Sequence, residues 1–323
     1  MKMKTVIASA ILACSFAVNA TSWTGYTYSA VSTTAAVKGM NNISERITKE
    51  TNGDLDIKIH LGNTLHISSS DITQAVGDGI VDFAADFFFS GNVPIARVLN
   101  LPMLINNDDE YKKAYLAMKP MLEEAFLQQG VVLLGGYRYP QQVFFTTFPM
   151  QSLSDIKGHK IRVTSPEQGH FVEEFGGLPI TLAGSDVPTA LERGVIDGIL
   201  TASAGGAKMW SEFLSYNYRF AVNYGNSMII ANIDAFEDLD ADVQQHLSAI
   251  VEEEGENISS EFMVDENTQM EHQQSQGMII NSTNPSEIEE AQERLRPYWS
   301  EWAKENGPEY EKALKLVLQA IGK

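Results

Sequence analysis

The stretch Leu153-Ser-Asp-Ile-Lys-Gly-His-Lys-Ile-Arg-Val-Thr-Ser-Pro-Glu-Gln168 contains the most informative local signals in the chain. A turn at Lys157-Gly158 leads into a short apolar run that carries Arg162 near its end, as a strand with one charged residue on it does. Ser165 then reads as an N-cap, Pro166 as the first helical residue and Gln168 as the far end of a capping box, while Gly176-Gly177 stops the helix. An arginine at the end of a strand, three residues before a helix N-terminus, brings a two-pronged donor near unpaired backbone N–H groups and the positive end of a helix dipole. Those are the components of a carboxylate site. A pairing of Arg162 with one of the chain's many acids is the competing reading.

Further along, Val187-Pro-Thr-Ala-Leu-Glu-Arg-Gly-Val-Ile-Asp197 has the pattern of the earlier Ile72-Thr-Gln-Ala-Val-Gly-Asp-Gly-Ile-Val-Asp82. In each copy an apolar helix face ends at a glycine, and two β-branched residues followed by aspartate lead into a strand. The spacing is too long for a stacked repeat and suits two similar α/β lobes. Two lobes imply a cleft, and Asp82 and Asp197 are assigned to the repeated fold, not to a ligand.

The run Asp155-x-Lys157-Gly158-x-Lys160-Ile161-Arg162-Val163, followed by Ser185-Asp186-Val187-x-x-Ala190-Leu191-x-x-Gly194-Val195-x-Asp197-Gly198, resembles the signature of the substrate-binding proteins of TRAP (tripartite ATP-independent periplasmic) transporters, the DctP-like family. Thr51-Asn52-Gly53 and Leu101-Pro102-Met103-Leu104 extend the likeness over most of the chain. The resemblance implies an α/β, two-lobed periplasmic solute-binding fold with hinge strands. It also implies Arg162 as the carboxylate-binding arginine, a small organic acid as ligand, and membrane subunits of a TRAP permease as partners. It puts Tyr28, Phe88, Gln142, Ser165 and Thr201 around the cleft, and Asn226, on the returning strand, is a further candidate for substrate binding. Three positions depart from the family pattern. Gln142 stands where a second arginine is common, Thr201 replaces an amide, and Ala183-Gly184 stands where an aromatic often precedes Ser185. Fewer charged partners point to a monocarboxylate; Arg138 is the residue that would serve a second carboxylate.

The N-terminus reads as a cleaved signal peptide over 1–20, with Lys2 and Lys4 ahead of an apolar stretch and Val18-Asn19-Ala20 as a small-residue cleavage site, which sends the mature chain to the periplasm. Ile11-Leu12-Ala13-Cys14 also resembles a lipoprotein box, but the apolar run continues past Cys14. Cys14 is the one cysteine, so cleavage at residue 20 leaves no thiol for disulfides, metal or nucleophilic chemistry. The formal charge of −19 becomes −21 without Lys2 and Lys4, which opposes binding to nucleic acid. A monomer is expected, with no cofactor and no metal. The six histidines lack metal spacing, and neither a phosphate loop nor a serine elbow is present. The readings set against a TRAP receptor are a receptor for an ATP-driven importer and a secreted enzyme using His66 or His170 as acid/base.

The 20–321 region reads as alternating strands and helices. Thr24–Tyr28 is a strand; Val37, Met40, Ile43 and Ile47 form one helix face; Leu55 to Leu61 alternates; Ile80 to Phe89 is a buried run whose Phe87, Phe88 and Phe89 either pack into the core or give the cleft a wall at Phe88 or Phe89. Val131–Gly135 reads as a strand ending before a polar, aromatic crossing at Tyr137–Gln142, and Phe220–Ile233 as a returning strand. The resemblance implies crossings near 140, 230 and 265, which give lobe one as 21–140 with 229–266, and lobe two as 141–228 with 267–323.

Overall fold

The computed structural model describes residues 21–323; the signal-peptide and Cys14 expectations fall outside the described residues. Strand β1 (Thr21–Thr27) leads into helix α1 (Ala35–Glu50). The Thr34 hydroxyl caps this helix by accepting from Val37 N, and the predicted stripe of Val37, Met40, Ile43 and Ile47 is buried. Next come β2 (Leu55–His60), α2 (Ile72–Gly77), β3 (Phe83–Asp86), 3-10 turns through Asn100, and α3 (Asp108–Leu127). A 16-residue strand, β4 (Val131–Thr146), carries the chain into the second lobe. That lobe holds β5 (Lys160–Val163), α4 (Pro166–Glu174), β6 (Leu178–Thr181), α5 (Val187–Glu192), β7 (Gly198–Thr201) and α6 (Ala207–Trp210). The 17-residue β8 (Tyr216–Asn232) returns, followed by α7 (Ile233–Glu237), α8 (Ala241–Ser275), β9 (Ile279–Asn281), α9 (Pro285–Asn306) and α10 (Pro308–Ile321).

The nine strands of the described residues form one sheet in the order β2-β1-β3-β8-β4-β7-β5-β6, with β9 alongside the start of β8. The two halves match. In the first lobe β1 pairs in parallel with β2 and β3, and β3 runs antiparallel to β8. In the second, β5 pairs in parallel with β6 and β7, and β7 runs antiparallel to β4. The repeat seen in the sequence is therefore a repeat of topology. Gly79 and Gly194, with φ of 69° and 64°, end its two helices in the left-handed region that a side chain disfavours. The run from Ile80 to Phe89 is shorter as a strand than expected. Ile80 is largely exposed, β3 covers Phe83–Asp86, and Phe89 belongs to a 3-10 turn within the core.

The crossing at Tyr137–Gln142 is the middle of β4 rather than a break after Gly135. Pro140 has no N–H for a ladder, and the β4–β8 register moves from Arg138 opposite Asn226 to Gln141 opposite Tyr224, bulging out one residue. A larger irregularity follows, where Gln142 opposite Asn223 gives way to Phe144 opposite Tyr218.

The expected lobe boundaries change at the C-terminus. Helix α8 joins both lobes: Ile258 and Phe262 pack with Tyr137 and Tyr139 in the first lobe's core, while Glu266 accepts from Ala204 N and Arg219. Helix α9 then crosses back. Its Glu287 accepts from Leu153 N and Arg294 pairs with Glu174 in lobe two, whereas Trp299 donates to Pro102 O in lobe one. Helix α10 lies on α3, and Lys323 bonds Leu104 O and Glu110. Residues 299–323 thus belong with lobe one. The inward stripe of Leu295, Trp299 and Trp302 is buried as its spacing implies, but an apolar stripe does not say which lobe covers it.

Candidate functional site

The first lobe brings an aromatic cluster to the ends of β1 and β3. Asp86, fully buried, accepts from Thr73 N, Thr73 Oγ1 and Phe88 N at 3.1, 2.7 and 2.7 Å, and so fixes the backbone from which Phe87 and Phe88 project. Burial outweighs those hydrogen bonds and pushes its carboxyl up to about 6. Phe87 meets Phe88 and Tyr139 edge-on, each at 5.1 Å between ring centroids, and Tyr28 at 5.6 Å. The Tyr28 hydroxyl contacts that of Tyr139, and burial raises the pKa of both phenols.

In the second lobe, strand alternation sets the direction of Arg162. Ile161 and Val163 enter the large core that includes Phe171, so Arg162 points to the other face, toward Leu182 and Trp210. It is 4% exposed, and burial lowers its pKa to about 10. Nε and Nη2 both donate to Leu182 O at 3.1 Å, and the guanidinium carbon is 5.7 Å from the Trp210 ring centroid. Among the described residues no acid pairs with it: the other pairs of this type are Arg46 with Glu50, Glu253 and Glu254, Arg97 with Glu167, Arg138 with Asp108, Arg219 with Glu266 and Arg294 with Glu174. The helix start beyond it forms as read. Ser165 Oγ accepts from Gln168 N at 3.2 Å, although Gln168 Oε1 reaches back to Thr164 N rather than to the cap itself.

Between the lobes, a cleft is lined by Phe87, Phe88, Gln142, Ser165, Gln168 and Asn226, among others. Four of the residues chosen from sequence, Phe88, Gln142, Ser165 and Asn226, come together here. Arg162 and Thr201 are not in that lining. Thr201, buried, accepts from Gly206 N at 2.9 Å on the loop that leads to Trp210. Gln142 donates to Pro140 O at the bulge. Neither amide atom of Asn226 has a hydrogen-bond partner among the described residues, an expensive state for a group only 2% exposed. Arg138 is engaged elsewhere, with Nη2 at 3.0 Å from Asp108, and the approach of that carboxylate raises its pKa despite burial. Of the histidines weighed as acid/base groups, His170 is stacked on Tyr298 at 3.6 Å.

Sequence reasoning missed the contacts that tie the lobes together. Arg97, in a first-lobe 3-10 turn, donates from Nε to Glu167 Oε1 at 2.7 Å, and Glu167 lies wholly buried in the first turn of α4. Gln168 Nε2 donates to Asn223 Oδ1, and Asn223 Nδ2 to Asn100 O. Trp210 was also missed; the glycine pair Gly205-Gly206 just before it was the available signal. No cluster of metal-ligating side chains occurs among the described residues, and none of their helices is long and apolar enough to cross a membrane.

Two pseudo-symmetric α/β lobes that share their long central strands, with a polar and aromatic cleft between them, define a solute-binding receptor. The model of the bacterial extracellular solute-binding protein family 7 (DctP) matches residues 26–306, and the chain belongs to that family, the solute receptors of TRAP transporters. The chain is similar to the Bordetella pertussis DctP7, an extracytoplasmic solute receptor binding pyroglutamic acid, with a TM-score of 0.85 at 25% identity over 94% of this chain and 100% of that one. It also shares its fold with a Chromohalobacter salexigens TRAP solute-binding protein holding D-glucuronate, with a TM-score of 0.84 at 19% identity over 92% and 99% of the two chains. In sequence it is 27% identical over 205 residues to the ectoine/5-hydroxyectoine-binding periplasmic protein UehA of Ruegeria pomeroyi, spanning 61% of this chain and 60% of UehA. The family and these neighbours are receptors, which sets aside the enzyme reading.

Proposed function

We propose that this receptor takes up a small organic monocarboxylate in the periplasm, binds its carboxylate through Arg162, and hands it to the membrane subunits of a TRAP permease. The observation that carries the reading is a buried guanidinium with no acidic partner among the described residues. A cation left unneutralised in the interior is costly, and an incoming carboxylate relieves that cost. The Nη1 atom of Arg162 makes no hydrogen bond there, so Nη1 and the outward N–H of Nη2 form a free two-pronged edge. Phe88, Gln142, Ser165 and Asn226, which line the cleft, supply an aromatic wall and neutral hydrogen-bonding groups for the rest of the solute, and Tyr28 backs that wall through its contacts with Phe87 and Phe88.

The pairing of Arg138 with Asp108 supports a single carboxylate, because it leaves a second one without a free arginine. Pyroglutamic acid and ectoine, named for two of the relatives, are small rings bearing one carboxylate each. Signal-peptide cleavage after Ala20 and a monomeric state belong to the same reading. The test is a thermal-shift panel of pyroglutamate, ectoine, 2-oxo and hydroxy monocarboxylates against succinate and malate, run on wild type and Arg162→Ala. A solute at 100 times its Kd stabilises the native state by about 2.7 kcal/mol. Stabilisation by monocarboxylates that disappears in Arg162→Ala supports the reading; stabilisation that persists in the variant overturns it.

A further inference from the structure

Gly184, just ahead of Ser185, carries no side chain. Another element packs against it. A Cβ built on Gly184 would lie 3.6 Å from Trp210 Cζ2, and one on Gly206 only 2.2 Å from Trp210 Cζ3, so the indole from α6 rests against two bare backbone positions. Gly206 cannot carry a side chain while the indole stays where it is. The same indole lies beside the Arg162 guanidinium, and the carbonyl that accepts from Arg162 belongs to Leu182, two residues before Gly184. The segment 182–184 therefore provides both an acceptor for one edge of the guanidinium and a seat for the ring beside it.

We propose that Trp210 is a positioning residue for Arg162, holding the guanidinium by a cation–π contact so that its free Nη1/Nη2 edge is presented to the solute. The inference rests on the reading of Arg162 as the carboxylate-binding group. An acidic side chain would hold the arginine too, but it would occupy the donors the solute needs. An indole offers the cation an electron-rich face and no hydrogen-bond acceptor, so it holds the charge in place without neutralising it. It also covers the guanidinium and excludes water from it. An arginine ordered before binding loses less conformational freedom when the solute arrives.

The test needs no ligand. In protein labelled with 15N-arginine, the Arg162 Nε–H resonance is assigned as the one lost in Arg162→Lys, with Arg97 and Arg219, both ion-paired to glutamates, as internal references. Trp210→Leu is expected to shift that resonance and speed its exchange with water about tenfold, while the references stay unchanged. Trp210→Phe should fall in between. Replacing tryptophan by fluorinated tryptophans keeps the shape of the fold and weakens the ring's negative face, so exchange at Arg162 should quicken with fluorine content; a purely steric role would leave it constant. Unchanged exchange in Trp210→Leu and across the fluorinated series overturns the proposal. Persistence of carboxylate stabilisation in Arg162→Ala would instead overturn the reading of the site itself, so the two failures are distinguishable.

Discussion

Asp82 and Asp197, 115 positions apart, hold their lobes together in the same way. Asp82 Oδ2 accepts from Thr24 N at 2.7 Å while its own N–H donates to Thr24 O; Asp197 Oδ2 accepts from Lys160 N at 2.8 Å while its N–H donates to Lys160 O. Each aspartate locks the strand that follows a repeat helix onto the first strand of its lobe. Replacing either by alanine should lower stability by about 1 to 3 kcal/mol, since a backbone N–H loses a charged acceptor. Affinity should be unchanged. Denaturant unfolding with calorimetric titration checks both halves, and a variant that folds as wild type but loses solute would show the assignment to be wrong.

Arg162 should be a source of affinity and a burden on the unliganded fold. Its buried charge lacks an acidic partner, so Arg162→Met is expected to leave the empty protein as stable as wild type or more stable by up to about 2 kcal/mol, while abolishing carboxylate binding. Melting temperatures without solute, compared across the two proteins, are the measurement.

The Arg97–Glu167 pair joins the lobes from opposite sides of the cleft. Glu167→Ala leaves Arg97 without its partner and should shift the population toward open forms, raising the radius of gyration in small-angle scattering. Apparent affinity should fall in proportion to the loss of the closed population. Identical scattering curves for variant and wild type would mean that the pair does not govern closure.

Arg138, the residue that would serve a second carboxylate, lies beside Asp108, which gives it a structural task. Arg138→Gln should cost stability, because Asp108 and the Tyr224 hydroxyl bound to it lose a cation, and should leave monocarboxylate affinity within about twofold. A dicarboxylate whose binding depends on Arg138 would contradict this.

Asp86 predicts a pH dependence with a definite sign. Its carboxyl is held up at about 6 against 3.8 for the ordinary group, so between those values the folded state binds more protons than the unfolded one. The contribution of Asp86 therefore falls as pH rises from about 4 to 6, by about 3 kcal/mol at most, and is level above that. Unfolding free energies of wild type minus Asp86→Asn at pH 4, 5, 6 and 7 should trace that decline.

The sequence carried the local signals well. The capped start of α4, the stripe on α1 and the duplicated helix ended by glycine each arise from contacts within a few residues, and each is present. It did not reveal facing. Strand period puts Arg162 on the side of Leu182 and Trp210, away from the α4 N-terminus that follows it in sequence, and only the assembled sheet shows which elements cover that side. Long-range choices were equally hidden. That Trp210 rests on Gly184, that Arg97 meets Glu167, and that α10 returns to α3 depend on pairings across tens to hundreds of residues, for which a single sequence has no periodic signal.

Four elements, β4, β8, α8 and α9, pass from one lobe to the other. No single peptide bond can therefore be cut to yield two intact halves. A protease that nicks one passage leaves three still joined, so the nicked receptor should migrate as one particle until it is denatured. The same threading bears on inheritance: neither lobe is an unbroken stretch of gene, so recombination at one point cannot graft the cation-bearing lobe of one receptor onto the aromatic lobe of another. A change of specificity by single crossover is closed to a molecule threaded this way, which leaves substitution along the chain as the more direct route.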